Sequence, residues 1–113
     1  PIVHGEGLQS RDFTYIDDVV AANLAAASAP AERCAGNIYN VAPGTASTLL
    51  DILDVLGALL GVDVAPVYAE PRAGDVRRSL ADAGAAARDL GVECTIDLRA
   101  GLARTVAWLR TLT

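Results

Sequence analysis

The sequence predicts a small mixed α/β lobe in which a few short strands alternate with helices. Three observations carry this. The apolar spacing switches between two and three-to-four along the chain, helix start and stop signals recur at short intervals, and the connections between them are short. A chain of 113 residues is one domain at most, or one lobe of a larger one. Hydrophobic residues make up 52% and charged residues 20%, which excludes a disordered chain.

Residues 1–4 are apolar, and Gly5-Glu6-Gly7 reads as a turn, with a hairpin as its natural use. Residues 9–16 place Phe13 and Tyr15 on one face between Arg11, Asp12 and Thr14, which is the alternation of a strand. Asp17 and Asp18 suit the cap of a helix over 19–29 that Pro30 ends. Its small face of Ala22, Ala25, Ala26 and Ala29 favours close packing. Residues 37–41 read as a third strand and Ala42-Pro43-Gly44 as a turn.

Thr48 and Asp51 have the spacing of a capping box, in which a hydroxyl and a carboxylate satisfy each other's free amides. The helix that follows carries Leu49, Ile52, Leu53, Leu56, Leu59 and Leu60 on one stripe and closes at Gly61. Residues 66–69 are a further strand, 70–79 a polar, arginine-rich loop, and 82–90 a short helix stopped by Gly91. From Asp97 a last helix carries Leu98, Leu102, Leu109 and Leu112, with Trp108 beside the stripe to help dock it. So few strands make an incomplete sheet that calls for a partner.

Net charge is −5, so the overall field attracts neither nucleic acid nor anionic lipid. No apolar run reaches the roughly 18–20 residues of a membrane span. All nine basic residues are arginine, so a mechanism that needs lysine cannot be completed within this chain. Cys34 and Cys94 are far apart, with a single histidine beside them, which argues against zinc and for free thiols in a reducing compartment. His4 has no nucleophile turn to serve and reads as structural. No glycine-rich turn joins a strand to a helix, so the dinucleotide fingerprint is absent.

The arginines are the chemistry-bearing residues. A guanidinium presents a planar fork to phosphate oxygens. Arg11 follows the glycine turn, and Arg72, Arg77 and Arg78 cluster with Asp75 in the long loop. Two readings stand: an anion site, or a solvated loop whose arginines pair with neighbouring acids. Arg11 and Asp12 as a strand-edge ion pair belong to the second.

Four segments in order resemble one family. Gly5-Glu6-Gly7-Leu8-Gln9-Ser10-Arg11-Asp12-Phe13-Thr14-Tyr15-Ile16-Asp17-Asp18-Val19 is similar to the GDGxQTRDFTYVDDV segment of extended short-chain dehydrogenases that act on nucleotide sugars. Ile38-Tyr39-Asn40-Val41 resembles their YNVG strand, and the stretch from Arg72 to Asp82 their RxGDVRHSxAD loop. Gly101-Leu102 to Trp108 resembles their closing helix. The nearest group is that of the UDP-glucose and UDP-N-acetylglucosamine 4-epimerases.

The resemblance implies that residues 1–113 are the C-terminal, substrate-binding lobe. An N-terminal Rossmann domain, outside this sequence, would bind NAD and supply a Tyr-x-x-x-Lys pair that inverts C4 of a UDP-hexose by transient hydride transfer. Carried over by position, Arg11 and Arg72 would grip the UDP diphosphate, Asp75 would take hydrogen bonds from the ribose, and Ser79 would line the sugar pocket. No catalytic, cofactor or metal residue is expected in this chain, which alone should be inactive. The partners implied are a UDP-sugar and the chain's own Rossmann domain, in a cytoplasmic homodimer. The alternatives are a lobe of a nucleotide-sugar dehydratase or decarboxylase, or a non-catalytic docking module. Ala42, Arg78 and Val92 depart from the pattern, where Gly, His and an aromatic are commoner. Ser79 has a second reading, as the cap of the helix near residue 82.

Overall fold

The computed structural model describes residues 1–112. Four three-residue strands and five helices follow in the order β1 (Ile2–His4), β2 (Ser10–Asp12), α1 (Ile16–Ser28), α2 (Ala31–Cys34), β3 (Ala46–Thr48), α3 (Leu49–Leu60), β4 (Val67–Ala69), α4 (Gly84–Leu90) and α5 (Leu98–Arg110). The expected mixed α/β class holds. The pairing differs from the expected hairpin. β1 runs parallel to β4, with Val3 opposite Tyr68, while β2 runs antiparallel to β3, with Arg11 opposite Ser47. The Gly5–Gly7 turn therefore hands the chain from one small sheet to the other. Both glycines sit at positive φ, 73° and 75°. At Gly7 a Cβ would lie 2.8 Å from Leu50 Cδ2, so conformation and space both demand glycine there.

Other boundaries move for identifiable reasons. The strand expected over 9–16 stops at Asp12, because the chain turns into α1 at Ile16. α1 begins three residues before the expected start, and its N-cap is Tyr15, with no side-chain cap. Asp18 instead is buried inside the first turn and accepts from the amides of Thr95 and Ile96, both at 3.2 Å. Residues 37–41 form no ladder, and Ile38 is fully solvent-facing. The third strand falls instead at 46–48, a Thr/Ser/Ala stretch with no apolar alternation to betray it. α2 was likewise not expected.

Where local chemistry suffices, sequence and structure agree. Thr48 Oγ1 accepts from the Asp51 amide at 3.1 Å, and the Asp51 carboxylate accepts from the Thr48 amide at 2.7 Å. Gly61 and Gly91 close α3 and α4 in the left-handed conformation. Asp97 caps α5 by accepting from Ala100 N at 2.7 Å. α5 docks against the ring of Tyr15 at Gly101, where a Cβ would come within 3.1 Å of that ring.

The core is slight. Val3, Ala22, Ala42 and Ala86 are its buried apolar residues, and no large side chain is fully enclosed. The accessible surface is 7625 Å², against roughly 5,800 Å² for a compact globule of this mass. The radius of gyration is 16.9 Å, against about 13 Å expected. Ile2, Val67 and Tyr68 on the β1–β4 sheet, and Ile16, Val20 and Leu24 on α1, face solvent. Trp108, expected to dock α5, is 59% exposed, because α5 rests on its opposite end. Among the described residues no helix is long and apolar enough to cross a membrane.

Three outcomes follow from the anchors. The Asp51 carboxyl is held below its ordinary value by the Thr48 amide first and the Thr48 hydroxyl second. A carboxyl whose folded value is lowered adds stability that is complete above its unfolded value, near 3.8, and is lost as pH falls through the folded value. In urea unfolding, the gap between wild type and Asp51→Asn should therefore be constant from pH 7 to about 5 and close towards pH 2. Thr48→Ala should cost about 1 kcal/mol. Asp18→Ala leaves two part-buried amides without their acceptor and should cost about 1–3 kcal/mol, with accelerated amide exchange at Thr95 and Ile96 as its local signature. Unchanged exchange there would exclude the anchoring role.

Candidate functional site

The site is assembled around β2 and the loop after β4. Ser10 N donates to Arg77 O at 2.9 Å and Ser79 N donates to Ser10 O at 3.1 Å, which lays the loop along the free edge of β2. A parallel bridge joins Ser10 to Arg78. Asp12, next but one on the strand, accepts from the amides of Gly44, Thr45 and Ala81, each at 3.2 Å. One carboxylate thus ties the turn before β3 to the segment leading into α4. Asp12 is not the partner of Arg11.

Arg11 turns the other way. Its Nη2 lies 2.7 Å from Asp75 Oδ1, while Nη1 donates to the carbonyls of Ser10 and Val76. Both groups of the pair are about one-third exposed, so the bridge adds at most about 1 kcal/mol. Its effect is positional, since it pins the loop to the strand. Gln9 adds a second tie, donating from Nε2 to His4 O at 3.0 Å and to Asp75 Oδ2 at 3.4 Å.

Between the end of β1, the glycine turn and this loop lies a cleft of about 360 Å³, within the usual size range of small-molecule sites. Its polar lining includes His4, Glu6, Gln9, Arg72, Asp75 and Arg77. Arg72 and Asp75 of the expected set therefore share one cavity. Arg11 reaches it through Asp75. Ser79 does not line it: that residue is exposed on the far side of the Ser10 bond. Nor does Ser79 cap α4, which starts at Gly84 with Asp82 Oδ1 accepting the Gly84 amide at 2.8 Å.

The arginines divide into two kinds. Arg11 is paired with an acid, as the solvated-loop reading expects. Arg72, Arg77 and Arg78 make no ion pair and no side-chain hydrogen bond among the described residues. Two of these three line the cleft. A concave wall with two uncommitted guanidinium groups is equipped to hold an anion of more than one charge. His4, Glu6 and Gln9 were missed as site residues, because only the β1–β4 pairing brings residues 4–9 beside residues 70–77. The one signal available was their place in the motif segment.

Residues 1–42 match the model of the NAD dependent epimerase/dehydratase family. The chain is 34% identical to a protein described as a UDP-glucose 4-epimerase of Methanocaldococcus jannaschii, over 97% of this chain and 34% of that one. It is also 34% identical to a dTDP-glucose 4,6-dehydratase of Streptomyces griseus, over 94% of this chain and 32% of that one. Among solved structures, UDP-glucose 4-epimerase of Thermotoga maritima with UDP-glucose superposes with a TM-score of 0.90 at 36% identity, covering 98% of this chain and 35% of its own. UDP-glucuronic acid 4-epimerase of Bacillus cereus, in complex with UDP-glucuronic acid and NAD, gives 0.90 at 27%, covering 99% and 35%. The chain spans about a third of the length of the curated relatives it matches. Motif order, fold and sequence likeness accord across nearly all of its residues, and the chain resembles the NAD dependent epimerase/dehydratase family, whose model matches residues 1–42.

Proposed function

We propose that this chain is the substrate-binding lobe of a UDP-sugar 4-epimerase and that its cleft holds the diphosphate of the nucleotide sugar. The observation that carries this is the pair of uncommitted guanidinium groups, Arg72 and Arg77, on the wall of a cavity of nucleotide size. Arg11, held at Asp75, supplies a third positive group beside them. A diphosphate arriving in the cleft competes for Arg11 and leaves the Asp75 carboxylate free to accept from a ribose hydroxyl. Ser79 belongs to the sugar end, outside the cleft itself.

NAD does not fit the residues of this chain. The positive-φ glycines nearest a strand end, Gly5 and Gly7, connect two strands, whereas a dinucleotide cradle needs such a turn to open a helix against the pyrophosphate. The redox half of the site, with its lysine, belongs to a further domain. The solvent-facing apolar residues of β1, β4 and α1 are suited to pack against that domain. The second reading, a 4,6-dehydratase lobe, is favoured by the likeness to the Streptomyces griseus protein; it uses the same phosphate grip and differs in the sugar chemistry.

Calorimetric titration of the complete enzyme with UDP tests the grip. Arg72→Ala should weaken binding about ten- to a hundredfold, the loss of one charge-assisted contact. Arg72→Lys should recover only part, since an ammonium lacks the planar fork. Wild-type affinity in both Arg72→Ala and Arg11→Ala would overturn the reading. At the sugar end, a small residue leaves room for an N-acetyl group that an aromatic ring would fill. In the complete enzyme, Ser79→Tyr should lower kcat/KM for UDP-N-acetylglucosamine at least tenfold more than for UDP-glucose. An equal fall for both would remove Ser79 from the sugar pocket.

A further inference from the structure

Asp12 ends β2 at the point where three segments meet. Its Oδ2 accepts from the amides of Gly44 and Ala81, and its Oδ1 from the amide of Thr45, each at 3.2 Å. The two segments it gathers are also bonded to each other, since Asn40 Nδ2 donates to Asp82 O at 3.2 Å. The carboxylate is one corner of a closed triangle made by β2, the turn before β3 and the segment entering α4. An ionised carboxylate has two oxygens with about four acceptor sites and no donor. That is what three converging N–H groups require.

The loop that carries Arg72, Asp75 and Arg77 depends on this corner. Residues 71–80 are all exposed, so no buried apolar side chain fastens the loop and polar ties alone hold it. Arg11 and Gln9 hold it at Asp75, at 2.7 and 3.4 Å. Those are the ties that an anion competing for Arg11 breaks. What then remains is the pair of Ser10 backbone bonds, to Arg77 and Ser79, and the Asp12 bond to Ala81. Neither Ser10 nor Asp12 lines the cleft.

We infer that Asp12 is a positioning residue for substrate binding, the mooring that keeps the arginine loop on β2 when the Arg11–Asp75 pair opens to the ligand. The inference rests on the diphosphate reading above and gives Asp12 no contact with the nucleotide. Arg72 and Arg77 meet the ligand from a loop whose far end is already fixed, so binding does not have to order it. Without the mooring, each binding event carries that ordering cost. The effect falls on affinity and not on the chemical step.

The complete enzyme, with UDP-glucose and UDP as probes, tests this. Asp12→Asn presents one carbonyl oxygen where the carboxylate had two, so it keeps part of the junction. Its KM for UDP-glucose should rise about three- to tenfold while kcat stays within about twofold, the pattern of lost binding. Asp12→Ala should raise KM further. The decisive comparison is with Arg72→Ala, because an arginine out of place has less to lose. In calorimetry with UDP, Arg72→Ala should weaken binding about ten- to a hundredfold in the wild-type background and about threefold less than that in the Asp12→Asn background. A purely structural Asp12 leaves the two losses to multiply. Full multiplication, an unchanged KM in Asp12→Asn, or a fall in kcat alone would overturn the inference and leave the diphosphate reading intact. An Arg72→Ala enzyme that binds UDP like the wild type would overturn the diphosphate reading, and this inference with it. If Asp12→Asn does not fold, amide exchange in the wild-type enzyme decides. Slow exchange at Gly44, Thr45 and Ala81, with and without UDP-glucose, supports the mooring; exchange at Ala81 as fast as at the exposed loop amides overturns it.

Discussion

Three residues of β2 hold the molecule together. Ser10 exchanges backbone hydrogen bonds with Arg77 and Ser79 on one side and pairs with Thr48 on the other. Arg11 reaches Asp75, and Asp12 gathers the amides of Gly44, Thr45 and Ala81. Every segment that shapes the cleft is tied to this strand or to the β1–β4 pair beside it. With a core of one valine and three alanines, apolar burial cannot do this alone. A neutral hydrogen bond contributes about 0.5–1.5 kcal/mol net and one to a charged group about 1.5–3. The cluster on β2 is therefore a large share of what such a small core leaves to be supplied.

The same economy bears on the uncommitted guanidinium groups of a chain of net charge −5. Asp12, Asp18, Asp51, Asp82 and Asp97 all accept from backbone amides. Among the described residues only Asp17 and Asp75 pair with arginine, at Arg104 and Arg11. These five acids are spent on turns, caps and crossings, and Arg72 and Arg77 stay uncommitted at the cleft. Cys94 lies in the same acidic neighbourhood. Burial, then the carboxylates of Asp18 and Asp12, push its thiol above the ordinary value, which suits a packing residue and not a nucleophile.

The shape has consequences for motion. Loops with little buried apolar surface open at low free-energy cost. The 70–79 loop is held at discrete points, by the Ser10 bonds, the Arg11 pair and Gln9, and these are the contacts a bound ligand would rearrange. The exposed apolar residues of β1, β4 and α1 leave the framework around the cleft with little buried apolar support.

What the sequence determined by itself was whatever is settled within a few residues. The Thr48–Asp51 box, the stops at Gly61 and Gly91, the Asp97 cap and the length of α3 all follow from local backbone chemistry. The motif segments also put Arg72 and Asp75 in one candidate site, and both line the cleft. What only the tertiary structure decided was partnership across distance. Asp17 and Asp18 have the composition of a cap, yet Asp18 serves two amides some 77 residues further on. Gly5-Glu6-Gly7 looks like a hairpin turn, yet β1 finds its partner at residue 67 and β2 at residue 48. Strands of three residues carry too little periodicity to declare their pairing. That pairing sets which side chains face each other, so the place of His4 beside Arg72 existed only once the chain had folded.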